Sequence, residues 1–192
     1  MIKKETRILG LDDAPFNKFK DKKVMVIGTV FRGGDWLDGV LSTHIRVDGT
    51  DSTKKLVELV NKSKHKDQLQ IIMLDGIAMG GFNVVDIHAL SEKTGFPVVT
   101  VIRNMPNIEN IEKALKNVKG WEKKLELIRK AGKIYPIKVK DGEIHVQPAG
   151  IDIEKVNEIM QIACTRSYIP EPIRVAHLIA SGIVKGESRG RA

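Results

Sequence analysis

Two apolar runs, RILGL and IIML, each close on a carboxylate, Asp12 in the first case and Asp75 in the second. Runs this short and this apolar read as β-strands buried on both faces. A strand of that kind has no ordinary use for a charge in its interior. A carboxylate placed where the strand leaves the core can hold a metal ion. Two of them on neighbouring strands would be only about 5 Å apart. The fold must therefore bring both strand ends to one edge of one sheet, and the chemistry expected there is divalent-metal chemistry on a nucleic-acid substrate. A third segment, YIPEPIRVAH from Tyr168 to His177, completes the pattern.

At 192 residues the chain suits one substantial domain, expected over 1–184, followed by a basic tail, KGESRGRA, over 185–192. Hydrophobic residues make up 42% and charged residues 29%, which excludes wholesale disorder. No apolar run approaches the roughly 20 residues of a membrane span, and MIKKETRILG holds no signal-peptide core, so the cytoplasm is the expected location. The single cysteine, Cys164, excludes an intrachain disulfide and a multi-cysteine zinc site. It ends a segment in which Val156, Ile159, Met160 and Ala163 recur at helical spacing, so it reads as a core thiol. A formal net charge of +8 and a pI near 9.5 suit a polyanionic partner, although lysine-rich surfaces also serve solubility. Aromatic residues are 5% of the chain, which disfavours a stacking platform for single strands.

Along the chain, Thr6–Leu11 reads as a short buried strand ended by Asp12-Asp13-Ala14-Pro15. Lys23–Phe31 is a second strand, followed by turn chemistry at Gly33-Gly34-Asp35 and again at Asp38-Gly39. Val40–Val47 alternates as a half-buried strand does. These three strands imply an antiparallel meander. The period then changes. Asp51-Ser52-Thr53 can cap a helix with Leu56, Leu59 and Val60 on one face. Gln70–Leu74 is a compact strand, Val84–Thr94 a helix stopped at Gly95, and Pro97–Ile102 another buried strand. Asn107–Ala131 is helical with a break around Gly120, Ile134–Val146 a hairpin with Asp141-Gly142 at its tip, Asp152–Cys164 a helix, and Pro170–Val184 a last short helix.

The order β-β-β-α-β-α-β predicts an α/β fold of the ribonuclease H-like type. Its mixed β-sheet joins an antiparallel three-stranded meander to parallel strands and is flanked by helices. The first strand is then central and the fourth lies parallel beside it, so that Asp12 and Asp75 share one edge, where open α/β sheets bind ligands.

The segments holding these residues resemble motifs of endonuclease V. Gly10-Leu11-Asp12 resembles its GVD motif and Leu74-Asp75-Gly76 its VDG motif, and in both the glycine lets a metal or phosphate approach the backbone. PVVTVIR, ending at Arg103, resembles a strand that ends in an active-site lysine. YIPEPIRVAH is similar to an RLPEPTRLAH-type segment whose final histidine lies at the metal site. Over its whole length the sequence more narrowly resembles the mainly archaeal endonuclease dU family. The resemblance implies a metal-dependent endonuclease cutting DNA near a deaminated base such as deoxyuridine, with Mg²⁺ or Mn²⁺ as cofactor. A nucleic-acid-binding module with little catalysis and an RNA-directed nuclease are the alternatives.

The resemblance implies Asp12, Asp75 and His177 as metal ligands, with His177 alternatively a base acting through water, and Arg103 as a contact to the scissile phosphate. Endonuclease V also carries a PYIPG-type wedge and a third-strand glutamate, and the corresponding LSTHIRVDGTDS has neither. Asp51 is the candidate for the missing acid and a supporting metal ligand, with Asp48 the alternative; Asp13 is the alternative to Asp12. Arg103 in place of lysine exchanges a compact ammonium for a planar fork. His44 could approach the site or pack across strands. Lys113, Lys116, Lys119, Lys123 and Lys124 form a basic stretch that is either a solvated face or a duplex-backbone contact. Gly33-Gly34 and Gly80-Gly81 lack phosphate-loop spacing, which excludes a nucleoside-triphosphate site of that kind.

Overall fold

A computed structural model describes residues 2–188; Met1 and the last four residues of the basic tail lie outside the described part. Seven strands form one sheet. Its first half is β1 (Arg7–Asp13), β2 (Lys23–Arg32) and β3 (Trp36–Arg46), an antiparallel meander in which Arg7 lies opposite Arg32 and Lys23 opposite Arg46. After α1 (Ser52–Asn61) the chain enters β4 (Ile71–Asp75), parallel to β1 with Leu11 beside Leu74. A small hairpin of β5 (Ala78–Met79) and β6 (Asn83–Val84) follows, then α2 (Ile87–Thr94) and β7 (Val98–Ile102), which runs parallel to β4. Two helices, α3 (Ile108–Leu115) and α4 (Trp121–Lys130), precede the hairpin β8 (Tyr135–Val139) and β9 (Gly142–Ala149). The chain closes with α5 (Ile153–Ala163) and α6 (Glu171–Lys185). The strand order is β3-β2-β1-β4-β7-β9-β8. The ribonuclease H-like arrangement is present, with β1 central as expected; β9 and β8 extend it antiparallel beyond β7.

Three expectations are corrected. Asp38-Gly39 lies inside β3 rather than in a turn. Its carboxylate stays on the sheet, 3.0 Å from both Arg7 Nε and Arg32 Nη2, and a register shift at Val30/Phe31 absorbs the irregularity. The helix expected from Val84 starts at Ile87, because Asn83–Val84 pairs with Ala78–Met79 and Asp86 caps α2 by accepting from the Ala89 N–H at 3.0 Å. A pairing two residues long leaves no period to read. The hairpin loop is Lys140-Asp141, one residue ahead of the expected tip, with Lys140 at φ 51°.

Each face of the sheet carries its own core. Leu9, Leu11, Ile72 and Leu74 pack with Leu56, Val60 and Leu90 of α1 and α2. Ile8, Ile71, Met73, Val99 and Val101 pack with Val156, Ile159 and Met160 of α5. Cys164 joins the second core as expected, and burial pushes its thiol up to about 12.

α6 lies on β1 at unusually short range. A Cβ on Gly10 would stand 2.6 Å from the Ile173 nitrogen and closer still to Pro172. The Pro172 carbonyl accepts from Thr29 Oγ1 at 2.6 Å, which ties the same turn to β2. Gly10 therefore admits the first turn of a helix, not the metal or phosphate that its motif suggested. Within that turn the buried Glu171 accepts from Arg174 Nη2 at 2.6 Å and from the Arg166 N–H at 3.1 Å, so the acid of the PEP segment is structural. Gly10→Ala is expected to destabilise the fold by about 3 kcal/mol, since rigid backbone must move. Denaturant unfolding measures this, and a loss below 1 kcal/mol would show that α6 can shift freely.

Candidate metal centre

Strand alternation puts three candidate side chains on one face. Ile8, Gly10 and Asp12 share a face of β1; Ile71, Met73 and Asp75 share the same face of β4. Val99 and Val101 continue it on β7, and Arg103 is the next position in that series. Asp12 and Asp75 each lie one step past the Leu11–Leu74 pair, so both carboxylates emerge together at the C-terminal edge. The fourth group comes from α6. From the Gly10–Ile173 contact, two strand residues lead to Asp12 and four helical residues lead to His177. Those steps measure roughly 6.6 Å and 6 Å, so the two side chains arrive level.

His177 Nδ1 stands 2.8 Å from Asp12 Oδ2, and one ligand atom from each of Asp12, Asp75 and His177 lies within 4.8 Å of the others. Arg103 Nη2 donates to Asp75 Oδ2 at 3.3 Å. Asp12 is buried, and its Oδ1 accepts from the Asp13 N–H at 2.8 Å. Burial, with repulsion from Asp12 second, raises Asp75 to about 6 against the opposing Arg103 guanidinium. Burial likewise raises Asp13 to about 6, although its Oδ2 accepts from the Gly80 N–H at 2.9 Å. The hydrogen bond to Asp12 lifts the His177 imidazole above its ordinary value. The edge therefore holds carboxylates whose ionised forms are poorly solvated, a burden that a divalent cation relieves. Two carboxylate oxygens and an imidazole nitrogen are a suitable donor set for such a cation.

The other candidates lie elsewhere. Asp51 is the first residue before α1, yet its side chain makes no capping bond there. Its Oδ1 accepts from the Arg46 N–H at 3.1 Å and from Asn83 Nδ2 at 2.7 Å, latching the loop after β3 to the small hairpin. Asp48, at φ 50°, accepts from the Phe82 N–H at 2.7 Å. Neither joins the Asp12–Asp75–His177 group, and Asp13 turns to the hairpin backbone instead. His44 is exposed on the edge strand β3.

Lys124 does not lie on a solvated face or free for a duplex backbone. It is buried, and its Nζ donates to the carbonyl oxygens of Asp48 at 3.0 Å, of Phe82 at 2.7 Å and of Gly49. Burial lowers its pKa. The signal was present, because Trp121, Lys124, Leu125 and Ile128 form one helical stripe. A single ammonium thus binds α4 to the loop after β3 and to the hairpin whose Gly80 holds Asp13. Between α3, α4 and the strand ends lies an apolar cavity of about 680 Å³, lined by Gly76, Ala78, Ile102, Met105 and Ile111 among others. Gly76 borders it at φ 77°, with nothing within 4 Å of where a Cβ would stand.

Residues 4–184 match the endonuclease dU family. The chain belongs to that family. A UPF0215 protein of Methanothermobacter thermautotrophicus is 52% identical over 192 residues, covering 100% of this chain and 94% of that one. Among solved structures, a protein of unknown function from Archaeoglobus fulgidus has a TM-score of 0.85 at 37% identity, covering 93% of this chain and 98% of that one. Endonuclease V of Ciona intestinalis, in complex with a 24mer DNA containing an inosine followed by a ribo-adenosine, has a TM-score of 0.57 at 17% identity, over 89% of this chain and 82% of that one. At that identity the likeness concerns the fold alone. No helix among the described residues of this endonuclease dU family member is long and apolar enough to cross a membrane.

The raised Asp75 gives a signed expectation for this family member. A carboxylate near 6 when folded, against an ordinary 3.8, favours folding below about pH 4, and this contribution is lost as pH rises through 6. In EDTA, Asp75→Asn is therefore expected to stabilise the protein by about 2 kcal/mol at pH 7.5 and negligibly at pH 4. Denaturant unfolding at the two pH values measures it; equal effects at both would refute the charge burden. Lys124→Met should cost about 3 kcal/mol in the same measurement, because three buried carbonyls lose their donor.

Proposed function

We propose that the protein is a divalent-metal-dependent endonuclease that hydrolyses DNA phosphodiester bonds near a deaminated base such as deoxyuridine, in DNA repair. The observation that carries this reading is the convergence of Asp12, Asp75 and His177 at one sheet edge with Arg103 beside them. Membership of the endonuclease dU family supports the same reaction class.

Asp12 and Asp75 would hold Mg²⁺ or Mn²⁺. When bound, the ion would acidify a water and neutralise charge gathering on the phosphate oxygens. His177, oriented through Nδ1 by Asp12, would complete the ligand set through Nε2 or take the water's proton there. Arg103, now on Asp75, would exchange to the scissile phosphate, for which its planar fork suits two oxygens. The cavity beside Gly76 is roomy and apolar enough for a base taken out of its stack, which supports base readout next to the cut. The net charge of +8 supports a nucleic-acid partner. Asp51, latched to Arg46 and Asn83, would act by holding the loop after β3. Its separation from the group leaves two carboxylates and favours, as second reading, a binding module of weak activity.

A nicking assay tests this on end-labelled DNA carrying deoxyuridine, deoxyinosine or no lesion, and on matched RNA, in Mg²⁺, Mn²⁺ or EDTA. The expected result is metal-dependent cutting of the deoxyuridine strand, slowed at least about a hundredfold in Asp12→Ala, Asp75→Ala and His177→Ala. Preferential cutting of RNA would change the substrate. Folded protein that binds but cuts nothing would establish the binding module instead.

A further inference from the structure

Between β1 and β2 the chain passes through NKFKDKK, Asn17–Lys23, at the carboxylate edge, since this segment follows Asp13 within a few residues. It is a self-closed turn. The Asn17 carbonyl accepts from the N–H groups of Lys20 at 3.0 Å and Asp21 at 2.8 Å. Asp21 Oδ2 accepts from the Asn17 N–H at 2.7 Å, and Asn17 Oδ1 from the Phe19 N–H at 3.0 Å. The one acid of the segment is thus spent on the turn, while Lys18, Lys20, Lys22 and Lys23 are exposed. Phe16 packs against the core, but Phe19 is 87% exposed, with Lys18 Nζ 4.9 Å from its ring centroid.

A singly exposed apolar side chain is ordinary on a protein surface. What distinguishes this one is the backbone beneath it, fixed by four hydrogen bonds, so that little conformational entropy remains to be lost when the ring is covered. A groove of about 430 Å³ runs from Phe16 and Phe19 past Phe82 to Asn117 and Val118, in the connection between α3 and α4. The far side is basic as well. From Arg103 to Ile134 there are nine Lys and Arg against four Glu, of which Arg103 sits on Asp75 and Lys124 is buried. Lys113, Lys119 and Lys123 are exposed there, and none forms an ion pair among the described residues.

We infer that Phe19 is a nucleic-acid wedge: its ring enters the base stack beside the target nucleotide, Lys18, Lys20 and Lys22 meet the flanking phosphates, and the connection between α3 and α4 grips the backbone across the groove. The inference rests on the nuclease reading above. An apolar wedge that unstacks one step lowers the barrier to extruding a base towards the cavity beside Gly76.

The test uses a duplex with a deoxyuridine–deoxyguanosine pair flanked by 2-aminopurine, whose emission rises on unstacking. Wild-type protein in Ca²⁺ is expected to raise the emission, Phe19→Ala to abolish the rise and to slow nicking in Mg²⁺ about tenfold, and Phe19→Trp to retain both. The thermal midpoint of Phe19→Ala should match wild type, because the ring touches little. Unchanged emission or unchanged nicking in Phe19→Ala overturns the wedge while leaving the nuclease reading intact. Wild type that neither binds nor nicks the duplex overturns both. Loss of binding to phosphatidylserine vesicles by Phe19→Ala, with nicking unaffected, would make the turn a membrane contact and also overturn the wedge.

Discussion

The contact between Gly10 and the first turn of α6 governs much of this molecule. One hydrogen atom in place of a side chain lets helix backbone rest directly on the central strand. Because β1 and α6 ascend in the same direction from that point, the spacing of each then delivers Asp12 and His177 to the same height. The rest of the YIPEPIRVAH segment serves this placement. Glu171 neutralises Arg174 and ties down Arg166, Pro172 offers its carbonyl to Thr29, and His177 is the residue of the segment that joins Asp12 and Asp75.

The site opposes the fold that builds it. Asp12, Asp13 and Asp75 crowd one edge, and burial lifts Asp13 and Asp75 well above the ordinary carboxylate range. Surrounding structure must hold that arrangement, and Lys124 does much of it. Its ammonium gathers the carbonyls of Asp48, Gly49 and Phe82, and the hairpin so held gives the Gly80 N–H to Asp13. The same buried cation holds the loop after β3 and the Phe82 carbonyl between the two-residue strands β5 and β6, which helps to fix that hairpin. Such a network is stable only with all its members, since each would be a buried unpaired charge or dipole alone.

Much of the fold was legible because its signals are local. Short continuous apolar runs marked β1, β2, β4 and β7; helical patterning marked α1, α4 and α5; Gly95 and Gly120, both with positive φ, stood at the breaks where they were expected. Asp12 and Asp75 were legible for the same reason, as charges at the ends of apolar runs. Asp38 misled because an aspartate–glycine pair signals a turn only when no partner draws the carboxylate onto the sheet, and here Arg7 and Arg32 both do. Asp51 misled because helix-capping composition does not reveal that Asn83 and the Arg46 N–H claim the side chain.

By itself the sequence determined the order of the seven main-sheet strands and of the α-helices between them, the sheet edge carrying two aspartates, and a basic surface suited to a polyanion, since each follows from residue type and short-range spacing. Tertiary structure alone decided that Gly10 seats a helix rather than a phosphate, that Lys124 lies inside rather than among the surface lysines, and that Asp13, Asp48 and Asp51 hold backbone while Asp12 faces Asp75 and His177. These outcomes depend on which distant backbone groups compete for a side chain, and that competition exists only once the sheet, the hairpin and α6 have come together.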